Sequence, residues 1–233
     1  MVTGLTDPSC RTGVQVYTCD DVSTITFVTA LAKSERQQLA DLLLRVGPDA
    51  PTLCAGWTTR DLAAHLVVRE RRPDSGLGVL VPALNGRTER IRLAKAAEPY
   101  ETLVALLRRP PWWSPVSNPL VDGLANGGEF FIHHEDVRRA ADQWSTRPMS
   151  RSHSADLWRN AKFAGKLALR RAKIPARVVE TGGLGEFTVG VDPRVTLRGE
   201  AGELALFLSG RQGAARVEID GESEEIAKAR LGI

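Results

Sequence analysis

Cysteine is scarce in this chain: Cys10, Cys19 and Cys54 are the only three in 233 residues. That number and spacing build neither a disulfide scaffold nor a zinc ribbon. A Cys10–Cys19 bridge remains an option, but the expected compartment is the reducing cytoplasm. Long apolar runs are also missing. Nothing approaches the roughly 18 consecutive apolar residues of a membrane helix, so no membrane partner is expected. A large charge of either sign is absent, and a net +3 does not imply a nucleic-acid partner. The N-terminus sets Asp7, Asp20 and Asp21 against Arg11 and has no continuous apolar core, so no secretory signal is expected. Internal repeats and low-complexity tracts are missing too.

What is present is ordinary for a globular protein: 42% apolar and 25% charged residues, in a length that suits one large or two small domains. Residues 1–27 are rich in Ser, Thr, Asp and Gly and read as a disordered tail or an extended start. Leu31, Leu39, Leu42, Leu43 and Val46 recur at helical spacing and predict a first helix over 28–46, stopped by Gly47-Pro48. Thr58-Thr-Arg-Asp61 resembles a capping box and starts a second helix that ends before Pro73. A long connection over 73–96 closes with a basic segment. A third helix spans about 99–108. Pro110 and Pro111 then break the chain, and Trp112 and Trp113 are expected to lie as a lid on the core. A fourth helix covers about 118–141.

A fifth helix, about 154–172, should turn Leu157, Ala161, Ala164 and Leu167 inward. Its basic side is read as a solvated face. Beyond Pro175 the texture changes to short alternating runs at 176–180, 186–190, 195–199 and 215–220, with helices at 200–209 and 222–231. The expected architecture is therefore mainly α with an α+β tail: a helical bundle over 28–173 and a small α+β domain over 174–233.

The fourth helix carries the chemistry. Glu129 and His133 are four residues apart, which puts both on one face of a helix, one turn apart. A carboxylate and an imidazole so placed can hold a metal ion if a third ligand comes from elsewhere. His65, beside the Leu62 and Leu66 stripe of the second helix, is the proposed third. A His/Glu/His set with an open fourth position suits zinc, and other divalent ions accept it. The bland alternatives are a core histidine at 65 and a simple hydrogen-bonded pair at 129 and 133. His134 points about 100° away from His133 and is expected to be hydrogen-bonded or exposed rather than a ligand. The order of residues is not His-Glu-x-x-His, which disfavours a metalloprotease. Gly127-Gly128 interrupts the same helix, either weakening that turn or permitting close helix packing.

Gly56-Trp-Thr-Thr-Arg-Asp-Leu-Ala-Ala-His65-Leu, followed by Glu129-x-x-x-His133-x-x-Asp136, resembles the mycothiol-dependent maleylpyruvate isomerase family. The likeness is closest to an actinobacterial branch described only as metal-binding proteins, and it extends from about Val28 to the C-terminus. It implies a DinB-like four-helix bundle followed by the small α+β domain, with zinc held by His65, Glu129 and His133. It also implies a small-molecule thiol, mycothiol, acting on a small electrophilic substrate. Arg69 and Arg72 would then steer an anionic substrate, although both, and Arg72 above all, could instead pair with Glu70, Glu135 or Asp136. Asp136 would brace an arginine or stand behind the ligands. The leading expectation is a zinc-dependent isomerase or S-transferase. Its rivals are a non-catalytic metal-binding or stress-response protein on the same scaffold, and a purely structural helical protein.

Overall fold

The computed structural model describes residues 19–72, 85–113 and 119–232. Among them are eight α-helices and four strands: α1 (Cys19–Val46), α2 (Thr59–Arg71), α3 (Asn85–Ala96), α4 (Tyr100–Arg108), α5 (Pro119–Arg138), α6 (Arg151–Ala172), β1 (Ala176–Glu180), β2 (Gly185–Val189), β3 (Val195–Gly199), α7 (Ala201–Leu208), β4 (Glu218–Gly221) and α8 (Ser223–Lys228). The protein is thus mainly helical with a small sheet near its C-terminus. The tail before residue 19, the Cys10–Cys19 bridge and the connection over 73–84 lie outside the described residues. The expected tail and the helix overlap, because α1 begins at Cys19 rather than near Val28. The Ser- and Thr-rich opening of α1 has modest helix propensity and weak periodicity, so its helical character carried little local signal.

Two apolar cores share α5 between them. One gathers Leu39 and Leu43 of α1, Leu62 and Leu66 of α2, Leu103 and Leu107 of α4 and Phe130 of α5. The other joins Leu31 and Phe131 to Leu157 and Leu169 of α6, the inner face of the sheet, and Leu204 and Leu208 of α7. Adjacent phenylalanines point about 100° apart on a helix, so Phe130 and Phe131 each serve a different core. The second core runs across Ile174, where the sequence suggests a boundary, so the helical and α+β parts are buried against each other.

The sheet has the order β2-β1-β3-β4, with β1 and β3 parallel and both edge pairs antiparallel. Along β1, Ala176, Val178 and Glu180 are buried while Arg177 is exposed, the alternation of a strand with one covered face. α6 and α7 cover that face. A Cβ at Gly165 would sit 2.6 Å from Leu208 Cδ1, so glycine here sets how closely α6 approaches α7. The buried stripe of α6 therefore runs through Leu157, Ala161, Gly165, Ala168 and Leu169. Ala164 and Leu167, expected inward, are exposed, because the stripe shifts to the glycine, which an apolar count passes over. Trp112 and Trp113 are no lid: they are 92% and 50% exposed, past the end of α4, whose Leu103 and Leu107 already close that side.

Ion pairs tie α5 to its surroundings. His134 Nδ1 lies 2.8 Å from Glu35 Oε2 of α1, and Arg147 reaches both Glu35 and Glu135. Arg139 bridges Glu135 and Glu203 of α7. Burial alone would raise the Glu35 carboxyl, but hydrogen bonds from His134 and Arg147 outweigh it and hold it below its ordinary 4.5. A carboxyl lowered on folding stabilises the fold above its unfolded pKa and loses that contribution as pH falls through the folded value. The gap in urea midpoint between wild type and Glu35→Gln should therefore be steady at neutral and mildly acidic pH and shrink below pH 4.5. A gap unchanged at lower pH would contradict this role.

Candidate metal centre

α2 delivers His65 from the edge of its buried stripe. Its start is fixed by Asp61, whose Oδ2 accepts the Thr58 backbone N–H and hydroxyl, each at 3.0 Å. Arg92 of α3 closes on the other oxygen of Asp61 at 2.6 Å and lies 4.8 Å over the Trp57 ring. Trp57 in turn packs on His65 with centroids 5.1 Å apart. These contacts hold the imidazole against the flank of α5 with its side chain 30% exposed.

The side chains of α5 meet it there. His65 Nε2 lies 3.6 Å from Glu129 Oε1, and His133 Nε2 lies 3.3 Å from the same oxygen. The two imidazoles stand edge to face, 5.3 Å apart. One ligand atom from each of His65, Glu129 and His133 lies within 4.8 Å of the others. A tetrahedral ion with ligand bonds of about 2.0–2.1 Å separates its donors by about 3.4 Å. The spacing and chemistry of this set thus fit a small divalent cation, and the partial exposure of His65 and Glu129 leaves water a way in.

Behind the three donors, further contacts hold the rings in place. His133 Nδ1 donates to Asp136 Oδ2 at 2.9 Å, which leaves Nε2 to face Glu129 and His65. Asp136 is fully buried. Arg211, just after α7, grips it with Nε on Oδ1 at 2.9 Å and Nη2 on Oδ2 at 2.7 Å. The Cys54 thiol donates to Asp136 Oδ2 at 3.2 Å and stands 4.0 Å from His133 Nδ1. Cys54, His133 and Asp136 form a second group close enough for a metal ion. There, however, Arg211 already supplies the positive charge, with Nη2 3.6 Å from Cys54 Sγ. The Nε2 side of His133 is therefore the better place for a cation.

Burial pushes His65 below the ordinary histidine value, against a hydrogen bond that it donates to Glu129. His133 goes the other way. Burial lowers it, but hydrogen bonds to Asp136, Cys54 and Glu129 together hold it well above the ordinary value. Burial would raise Glu129 and Asp136. The two histidines hold Glu129 well below its usual range, and His133 and Arg211 bring Asp136 to about 2.

The structure brings His65, Glu129, His133, Arg69 and Asp136 together. Arg69 Nε is 3.4 Å from Glu129 Oε1, and its Nη1 donates to Asn126 Oδ1. Arg72 lies just past the end of α2 and is exposed. His134 is hydrogen-bonded to Glu35, one of its two expected states. α5 runs unbroken through Gly127-Gly128. A Cβ at Gly127 would come 3.2 Å from Leu31 Cδ2 and one at Gly128 3.6 Å from Asn160, so the pair serves close helix packing.

Sequence reasoning missed Cys54 and Arg211, which are 82 and 75 positions from Asp136. Neither spacing carries a local signal. No protein-family model, curated protein or solved structure matches the chain.

In the metal-free protein His133 is expected to titrate above the ordinary histidine value and His65 below it. Imidazole nitrogen chemical shifts followed across pH separate the two. A His133 that loses its charge at a lower pH than His65 would contradict this order.

Proposed function

We propose that the protein binds one divalent metal ion, zinc by the character of the donors, through His65, Glu129 and His133 on a DinB-like four-helix bundle. In this reading it is a cytoplasmic isomerase or S-transferase that uses a small thiol, mycothiol, on a small electrophile. The observation that carries the metal reading is the convergence of three donors from two helices, with the far nitrogen of His133 already committed to Asp136. A bound zinc would supply Lewis acidity that favours a thiolate at neutral pH. Asp136 would fix the His133 ring, and Arg69 beside Glu129 would add positive charge at the rim for an anionic substrate. Among the described residues no helix is long and apolar enough to cross a membrane, which is compatible with this setting.

The alternative reading on the same scaffold is a non-catalytic metal-binding or stress-response protein.

Protein purified with zinc should hold about one equivalent, falling below about a tenth in His65→Ala and His133→Ala, by elemental analysis. Wild type with less than about a tenth, or no difference in the variants, would overturn the metal reading. Mycothiol should perturb the visible spectrum of the cobalt-substituted protein. An unchanged spectrum at millimolar thiol would favour the non-catalytic rival.

A further inference from the structure

We infer that Arg211 is a positioning residue for the metal centre, acting through Asp136 to set the ring orientation of His133. This rests on the metal reading above. Among the described residues, Arg211 makes no hydrogen bond or ion pair to His65, Glu129 or His133; its side-chain partners are Asp136, Cys54 and the Ser209 carbonyl. It approaches Asp136 as a fork, Nε to Oδ1 at 2.9 Å and Nη2 to Oδ2 at 2.7 Å. A two-pronged contact fixes the plane of a carboxylate as well as its place. That plane aims Oδ2 at His133 Nδ1, 2.9 Å away, and so turns Nε2 toward Glu129 and His65. Without the fork, Asp136 keeps one charge but loses its fixed plane, and the imidazole can swing.

The fork is itself held in place. Arg211 N–H donates to Leu206 O at 3.0 Å, and its Nη1 donates to Ser209 O at 2.8 Å. The turn before it uses Gly210 at φ +92, where a Cβ would also press within 2.9 Å of the Gly232 backbone nitrogen. The α+β part of the chain therefore supplies a piece of the metal centre, and the helices alone hold it incompletely.

Cobalt and zinc titrations of the full chain test this. Arg211→Met should weaken metal binding by about 10–100-fold and shift the visible bands of the cobalt form. Arg211→Lys keeps the charge without the fork, so it should lose an intermediate factor; it also covers the case in which the methionine variant misfolds. The double variant Asp136→Asn with Arg211→Met should bind little worse than Asp136→Asn alone, because the two residues act along one path. The inference is overturned if wild type binds through His65, Glu129 and His133 while either Arg211 variant matches its affinity and spectrum. It is equally overturned if the two losses simply add. A wild type that binds no metal is a different outcome: it removes the metal reading itself, and the inference with it.

Discussion

A carboxylate sealed from water holds this candidate centre in shape. An ionised Asp136 with no exposed surface would be costly by several kcal/mol unless neighbours met its charge. Three groups meet it, from three parts of the chain: the imidazole of His133 on its own helix, the guanidinium of Arg211 beyond α7, and the thiol of Cys54 in the loop before α2. The same loop is pinned to α5 by the bond from Leu53 N–H to the Asp136 backbone oxygen, at 3.0 Å. Satisfying one buried charge thus fixes the His133 ring, docks a loop and attaches the C-terminal part.

The C-terminal turns of α5 have no idle face. Phe130 and Phe131 are divided between the two cores. His134 and Glu135 turn to α1 and Arg147, and Arg139 turns to Glu203 of α7. Glu129, His133 and Asp136 occupy the remaining side. Buried ion pairs add little net stability against well-packed apolar residues, but removing one partner is expensive. Their consequence here is geometric: each pair admits one rotation and one register of α5, which also sets the direction of Glu129 and His133.

The sequence made part of this legible and hid the rest, for physical reasons. Helical periodicity located α2, α4, α5 and α6 to within a few residues, because each buries a stripe at regular spacing. The i, i+4 relation of Glu129 and His133 is local, so their shared face could be read directly. His65 needed a long-range guess, supported by the resemblance. Arg211 and Cys54 were invisible because their partnership with Asp136 exists only after folding. Gly165 misled the reading of α6, since its value lies in the space it leaves. Trp112 misled it too, because a large apolar residue past a double proline does not have to return to the core.

Crystals grown with zinc and measured for anomalous scattering across the zinc edge test the proposed centre most directly. One strong peak is expected, about 2.0–2.2 Å from the facing nitrogens of both imidazoles and from a carboxylate oxygen of Glu129. A peak instead between Cys54 and Asp136, or none near either group at full zinc loading, would contradict that centre.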